Sequence, residues 1–272
     1  MEIQFQNISL NFEAYQKNSS ADFILFLHGF TGSSQDWKEI IPHIDNRFNC
    51  ATMDFVGHGK SKSPPEINFY NTDSIVQQIN SVTENIKCNK IILIGYSMGG
   101  RAALNFAIKY PEKVKALILE SATPGITGDN LRSQRVQNDE DLSKFILNNP
   151  IEKFVEYWMN IDLFMSQKNL PPEIISKVRE NKLKNNPVGL SNSLKGFSTG
   201  KMPPLFDRLS EIKAKTLLIS GESDDKFTAI NFSMEKYISN SGHKVIKSAG
   251  HNTHLENPED FINEVNNFLK QF

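Results

Sequence analysis

One serine of this chain lies in a pattern that can make its hydroxyl reactive. The stretch Gly95-Tyr96-Ser97-Met98-Gly99 follows an apolar run at residues 91–94 and precedes a stretch with helical spacing. The two glycines permit a tight turn, because a Cβ at either position would crowd the neighbouring backbone. This turn predicts a Ser97 hydroxyl raised at a helix N-terminus, where backbone amides favour developing negative charge. The pattern therefore indicates a serine used as a nucleophile or as a base.

A reactive serine needs a base, and the chain has six histidines. His251 follows the predicted last strand at residues 244–246 and precedes the final predicted helix, so its loop opens at the carboxyl ends of the strands. We favour His251, and His254 remains its rival. His28 and His58 lie earlier in the chain in glycine-flanked turns, which favours a structural role for both.

The acid of such a relay is expected between the serine and the histidine in chain order. Asp224 follows the apolar run at residues 216–219, so its carboxylate can accept the imidazole N–H and fix the tautomer. Asp225 and Glu120, which ends an earlier predicted strand, remain alternatives. We assign the role to Asp224.

A developing oxyanion would need two backbone donors. The first is the amide of Met98, directly after the serine. The second is expected from the loop after the predicted strand at residues 23–27, where the sequence nominates the Phe30 amide.

Arg101 is the most informative residue outside this relay. It lies in the first turn of the helix after Ser97, where the helix dipole disfavours a cation. A salt bridge to a nearby acid would give it a structural role, whereas an anion receptor beside Ser97 would give it a functional one. Further basic residues follow in the chain, and they are Arg132, Arg135, Arg179, Lys182 and Lys184. This set predicts a small-molecule substrate with several carboxylates.

The elements that must position these residues alternate between strand and helix. Short apolar runs without polar alternation predict buried parallel strands at residues 23–27, 50–53, 91–94, 116–119 and 216–219. Helical spacing occurs between them at residues 35–44, 72–86, 98–110, 229–239 and 258–272. Residues 3–5 and 9–15 could add an antiparallel hairpin. The pattern predicts an α/β-hydrolase fold, with a mostly parallel twisted sheet flanked by helices.

The alternation stops between residues 124 and 209. Helical periodicity continues there at residues 139–147, 151–159 and 173–183 without a convincing strand. We interpret residues 124–209 as a helical cap inserted after the sixth strand, and residues 1–123 with 210–272 as the core.

Composition excludes several classes of function. The net charge of -1 provides no global field that would attract nucleic acid. Two distant cysteines favour a reducing compartment, residues 1–16 lack the features of a signal peptide, and no apolar run approaches the roughly 18 residues of a membrane span. We expect a cytoplasmic protein without a membrane span, a monomer or weak homodimer, with no metal and no cofactor.

Taken together, the motifs resemble one family, the 2-succinyl-6-hydroxy-2,4-cyclohexadiene-1-carboxylate synthases of menaquinone biosynthesis. The resemblance extends over nearly the whole chain. It is carried by Leu27-His28-Gly29-Phe30-Thr31-Gly32, Gly95-Tyr96-Ser97-Met98-Gly99-Gly100-Arg101, Leu119-Glu120-Ser121-Ala122-Thr123-Pro124-Gly125, Gly221-Glu222-Ser223-Asp224-Asp225-Lys226-Phe227 and Ala249-Gly250-His251-Asn252-Thr253-His254.

The resemblance implies elimination of pyruvate, with Ser97 as a base rather than an acylated nucleophile. It also implies that Arg101, Arg135, Tyr96 and Trp158 bind the substrate. Where family members carry a further arginine, this chain has Lys182 or Lys184, and we nominate Lys184. Lysine keeps the charge but loses the bidentate fork.

Two other functions compete with this hypothesis. A serine hydrolase of carboxyl esters or of carbon–carbon bonds would use the same relay and would need no cationic pocket. A non-catalytic receptor of the same fold would have lost members of the relay, and all three are present here.

Overall fold

The computed structural model describes residues 1–16 and 21–272. Within them, strands β1 to β8 span Glu2–Phe5, Ile8–Tyr15, Phe23–Leu27, Asn49–Met53, Ile91–Tyr96, Val114–Glu120, Lys215–Gly221 and Ser241–Ile246. They form one sheet in the order β1-β2-β4-β3-β5-β6-β7-β8. The β1–β2 and β2–β4 pairs are antiparallel and the other pairs are parallel. The predicted fold class and the N-terminal hairpin are confirmed.

Helices flank this sheet. In chain order, α1 to α9 span Thr72–Ile86, Met98–Lys109, Asp129–Asn148, Ile151–Met159, Pro172–Leu183, Pro187–Phe197, Asp225–Glu235, Thr253–Glu256 and Pro258–Leu269. In the described part of the chain, no helix is both long enough and apolar enough to span a membrane.

The central strands are buried on both faces, which explains their unbroken apolar sequences. Every residue of β3, β4 and β5 is buried. Leu25 and Leu93 belong to the hydrophobic cluster on one face of the sheet, and Ile24 and Ile94 belong to the cluster on the other. Burial on both faces stabilises a parallel sheet whose strand ends meet at one edge.

The helix predicted at residues 35–44 is wrong. The segment forms two short 3-10 turns, at Ser34–Trp37 and Ile41–His43. Pro42 lies inside the predicted helix and has no amide to donate, so an α-helix cannot run through it. Its apolar residues still pack on the sheet, since Trp37 and Ile40 are buried.

Two other helices begin before their predicted first residues. Helix α7 begins at Asp225 rather than near residue 229, because the Asp224 side chain accepts a hydrogen bond from the Phe227 amide and caps the helix. Helix α3 begins ten residues before the predicted residue 139.

Four helices, α3 to α6, lie between β6 and β7 in the chain. They share a small apolar core that includes Ile146, Phe154, Leu190 and Leu194. Helix α6, Pro187–Phe197, was not among the predicted helices, because its glycines and serines obscure the helical spacing. We refer to α3–α6 as the inserted helices, and their separation from the core as a cap at residues 124–209 remains a prediction.

Candidate active site

Ser97 lies on a strained turn between β5 and α2. Its φ is 50°, in the left-handed region that non-glycine residues rarely adopt. The turn needs its glycines, since a Cβ on Gly99 would overlap the carbonyl oxygen of Leu27. A Cβ on Gly95 would lie 2.6 Å from the Gly100 amide nitrogen. The turn thus places the serine at the N-terminus of α2, as the sequence predicts.

His251 lies between Ser97 and Asp224 and contacts both. Its Nε2 atom is 3.0 Å from Ser97 Oγ, and its Nδ1 atom is 2.7 Å from Asp224 Oδ2. An ionised carboxylate only accepts hydrogen bonds, so the Nδ1–H donates to Asp224 and Nε2 is free to accept from the serine hydroxyl. The arrangement can draw the proton from Ser97.

Aromatic rings surround this imidazole. The ring of Phe227 lies 4.4 Å from that of His251, Tyr96 lies 5.5 Å away and Phe164 lies 5.9 Å away, all between ring centroids. His251 is 1% exposed. The low polarity of these walls strengthens the electrostatic interactions within the relay.

The rival acid and the rival base bind each other instead. The Glu120 carboxylate accepts hydrogen bonds from the His254 amide at 3.0 Å, from His254 Nδ1 at 2.6 Å and from Thr253 Oγ1 at 2.7 Å. His254 also stacks on Trp37, with 4.2 Å between ring centroids. The other alternative, Asp225, is exposed. The geometry therefore favours Asp224 and His251 as the partners of Ser97.

The two predicted oxyanion donors lie with Ser97 around one cavity. Phe30 and Met98 both line it. The Met98 amide is the first of helix α2 and so has no intrahelical acceptor. Thr31, directly after Phe30, has a φ of 66° and turns the loop at this point. The role of the two amides as oxyanion donors remains a prediction.

This catalytic cavity has a volume of about 210 Å³. Its aromatic wall includes Tyr96 and Trp158, both predicted from the sequence, and Phe164 and Phe227. Burial raises the pKa of Tyr96 well above its usual value, so its hydroxyl stays protonated and can donate. The described residues contain no group of His, Cys, Asp and Glu side chains that could hold a metal ion.

Arg101 lies in the catalytic cavity wall and is 8% exposed. Its Nη1 atom donates to the carbonyl oxygen of Phe197 at 2.8 Å, and its guanidinium lies over the Phe197 ring. No carboxylate in residues 1–16 or 21–272 forms an ion pair with it, which argues against the salt-bridge alternative. Burial, together with the nearby Arg135, lowers the pKa of Arg101 to about 9.

Two further cations line the same cavity. The Arg135 Nε atom donates to Asp139 at 2.8 Å, which leaves the terminal nitrogens of its guanidinium for other partners. Lys226 follows the acid loop and reaches the rim. Arg101, Arg135 and Lys226 thus place three cationic side chains in the wall of the catalytic cavity, and Arg135 among them is paired with Asp139.

Lys184 does not join this group. It is exposed, donates to the Asn181 side chain and lines a separate surface cavity. Lys182 lines a neighbouring cavity of about 180 Å³ that shares Phe30, Tyr96 and Phe164 with the catalytic one. Its Nζ atom donates to Thr31 Oγ1 at 2.8 Å, and burial lowers its pKa. The nomination of Lys184 is therefore contradicted by its position.

Sequence reasoning missed three parts of the cavity. Phe164 lies on a 3-10 turn among the inserted helices, and no sequence motif identified it as a cavity residue. Lys226 and Phe227 directly follow Asp224, so their closeness in the chain was a usable signal. The cavity lining also includes four hydroxyl residues to which the sequence analysis gave no role, and they are Ser121, Ser193, Ser198 and Thr199.

The family model of the alpha/beta hydrolase fold matches residues 22–258. The fold and the relay thus define an α/β hydrolase. A thermophilic esterase from Thermogutta terrifontis, described as malate-bound, has the same fold, with a TM-score of 0.86 and 23% identity over 100% of this chain and 98% of that one.

Relatives with higher sequence identity indicate which family within this fold the chain belongs to. A Bacillus subtilis (strain 168) protein, provisionally named 2-succinyl-6-hydroxy-2,4-cyclohexadiene-1-carboxylate synthase, is 42% identical over 92% of this chain and 91% of its own length. An Enterobacter sp. (strain 638) protein with that name is 28% identical over 87% of each chain. The structure titled MenH from S. aureus has a TM-score of 0.91 and 35% identity, over 96% of this chain and 98% of that one. This chain belongs to the 2-succinyl-6-hydroxy-2,4-cyclohexadiene-1-carboxylate synthase family.

Proposed function

We propose that this chain is a lyase of menaquinone biosynthesis. Its substrate is 2-succinyl-5-enolpyruvyl-6-hydroxy-3-cyclohexene-1-carboxylate, and it releases pyruvate to give 2-succinyl-6-hydroxy-2,4-cyclohexadiene-1-carboxylate. One observation carries the proposal: a complete serine relay opens into a cavity lined by Arg101, Arg135 and Lys226. The three carboxylates of the substrate match these cations, and the family membership of the chain supports the same reaction.

The reaction begins with loss of a proton from the ring carbon that bears the succinyl group. The Ser97 hydroxyl gives its proton to His251 Nε2, 3.0 Å away, and the serine oxygen takes the ring proton. Asp224, 2.7 Å from Nδ1, stabilises the imidazolium that forms. The serine oxygen forms no covalent bond to a substrate carbon, so no acyl intermediate forms.

The carbanion is stabilised through the neighbouring succinyl carbonyl. Negative charge moves onto that carbonyl oxygen and is stabilised by the backbone amides of Phe30 and Met98, two residues that line the cavity. The electron pair then shifts through the ring double bond, and the carbon–oxygen bond to the enolpyruvyl group breaks. His251 returns a proton to the departing enolpyruvate, which becomes pyruvate.

Release of pyruvate tests the proposal directly. Purified chain is incubated with the enolpyruvyl substrate, and pyruvate is measured alongside the ultraviolet absorbance of the diene product. Wild type should release one pyruvate per diene, and Ser97→Ala should be slower by about 10³-fold or more. Absence of pyruvate with a correctly folded wild type would contradict the function.

An ester hydrolase is the alternative that the same relay allows. Turnover of neutral aryl esters that is equally fast in Arg101→Ala would support it, because such substrates need no cation. In the proposed lyase, Arg101→Ala should instead lose activity on the enolpyruvyl substrate, since the guanidinium holds a carboxylate.

A further inference from the structure

The catalytic cavity contains buried hydroxyl groups that the proposed reaction does not use. Ser121, Ser198 and Thr199 all line it, and none of their side-chain oxygens has a hydrogen-bond partner among residues 1–16 and 21–272. Ser121 is 0% exposed and Ser198 is 2% exposed. A buried hydroxyl without a partner costs free energy, so a group from outside the chain is expected to satisfy these hydroxyls.

Ser121 repeats the backbone geometry of Ser97 on the adjacent strand. Tyr96 and Glu120 are register partners at the ends of β5 and β6, so the two serines that follow lie side by side. Both have positive φ, 50° for Ser97 and 46° for Ser121. A non-glycine residue in this region is strained, and such strain is concentrated at functional sites. The second serine therefore lies beside the first at the same edge of the sheet.

Ser198 connects this position to Arg101. It directly follows Phe197, whose carbonyl oxygen accepts the hydrogen bond from Arg101 Nη1 at 2.8 Å. Ser198 thus directly follows the residue that holds the Arg101 guanidinium, lines the same cavity as Arg101 and has an unpartnered hydroxyl. Two neutral donors beside one cation make a suitable receptor for a carboxylate, because each hydroxyl can donate to one of its oxygens.

We propose that Ser121 and Ser198 are substrate-binding residues that form a carboxylate subsite with Arg101. The subsite deepens the proposed function and rests on it for the identity of the ligand, which is one carboxylate of the polycarboxylate substrate. The hydroxyls donate to the carboxylate oxygens while Arg101 neutralises the charge. This places one end of the substrate beside Ser97 and fixes which ring carbon faces the base.

Kinetics of Ser121→Ala and Ser198→Ala test the subsite. A hydrogen bond to a charged group is worth enough that each change should raise KM about tenfold or more. Because a carboxylate keeps its charge through the reaction, kcat should stay within about threefold of wild type. Ser220→Ala is the matched control: its hydroxyl is also buried, at the end of the neighbouring strand β7, but it is hydrogen-bonded to Thr228. KM of this control should equal the wild-type value.

Folding is separated from binding by a second variant. Ser121→Gly removes the hydroxyl and also relieves the positive φ, so it should raise KM as Ser121→Ala does without loss of thermal stability. If both Ser121 variants and Ser198→Ala keep the wild-type KM while wild type releases pyruvate, the subsite is wrong and the proposed function stands.

If wild type releases no pyruvate, equilibrium binding of a carboxylate ligand still tests the subsite. Succinate is titrated into wild type and Ser121→Gly by calorimetry, a readout that needs no turnover. Weaker binding in the variant by about tenfold supports the carboxylate subsite even if wild type releases no pyruvate. Equal dissociation constants for the two proteins would overturn it.

Discussion

The Arg101 guanidinium lies over the ring of Phe197, 5.1 Å from its centroid, and donates to the carbonyl oxygen of the same residue. These contacts hold a buried cation in place without neutralising it. A buried charge without a counter-ion opposes folding, so the residue is better explained by ligand binding than by stability.

Replacing Arg101 with methionine should therefore separate stability from activity. Arg101→Met removes the buried charge and keeps most of the side-chain volume, so the free energy of unfolding should rise by about 1 kcal/mol or more. KM for the enolpyruvyl substrate should rise at least tenfold, because the guanidinium is lost. Denaturant titration and steady-state kinetics measure the two effects, and a variant less stable than wild type would show that Arg101 has a structural role.

The stability gain from Arg101→Met should depend on pH. Folding lowers the pKa of Arg101 from 12.5 to about 9, so between these values the unfolded chain binds more protons than the folded one. Wild-type stability attributable to this group therefore increases as pH rises through that interval. The difference between the variant and wild type should be full at pH 7 and smaller at pH 10. Denaturant titrations at both pH values measure it; an unchanged difference would contradict the expectation.

Asp224 and Glu120 should respond differently to loss of charge. In Asp224→Asn the side chain no longer favours the Nδ1–H tautomer of His251, so kcat should fall about 10³- to 10⁴-fold with little change in fold. Steady-state pyruvate release measures this effect. A fall of less than tenfold would indicate that another acid serves the relay.

Glu120→Gln should act on stability instead. The Glu120 carboxylate accepts three hydrogen bonds from Thr253 and His254, and the substitution replaces one acceptor oxygen with a donor. The free energy of unfolding should fall by about 1–3 kcal/mol. The folded fraction should keep kcat within about threefold of wild type, and a larger kcat loss would place Glu120 in the reaction.

Lys182, in helix α5, and Lys184, directly after it, provide a matched pair. Lys184→Ala should leave kcat/KM within about twofold of wild type, because the side chain is exposed and lines a separate cavity. Lys182→Met should lower kcat/KM about tenfold, since it removes the hydrogen bond to Thr31, the residue after the predicted oxyanion donor Phe30. Similar losses in both variants would indicate a general electrostatic effect rather than a specific contact.

The relay and the sheet could be predicted because each has a local signature. Buried parallel strands require continuous apolar runs, and the turn at Ser97 requires glycine on both sides. Chain order then separated Asp224 and His251 from most competing acids and bases. Chain order could not separate Asp224 from Asp225 or His251 from His254. That distinction depends on which side chain points toward Ser97, which only the three-dimensional structure gives.

The different positions of Lys182 and Lys184 have a cause that is visible in the sequence. Residues 174, 178 and 182 are spaced by four, so Lys182 shares a helix face with Ile174 and Val178, and all three line the same cavity. Lys184 lies at the C-terminal cap of α5, beyond this face. A choice based only on the charge of the two lysines does not take this helical spacing into account.

Ser121 lies within one of the motifs that carry the family resemblance, but its local sequence assigned it no role. A serine after a strand is common, and its positive φ is not encoded by a neighbouring glycine. The unpaired hydroxyls become visible only when the cavity wall is assembled from β6, α2 and the segment after α6. Such binding groups are set by tertiary contacts rather than by local sequence pattern.

The chain has two tryptophans, and they lie in very different surroundings. Trp37 is fully buried against His254, whereas Trp158 forms part of the catalytic cavity wall. The protein thus contains its own optical probe. A Trp37→Phe variant would emit from the cavity wall alone, so the arrival and departure of a ligand could be followed by fluorescence, without labels, on the millisecond scale of a stopped-flow instrument.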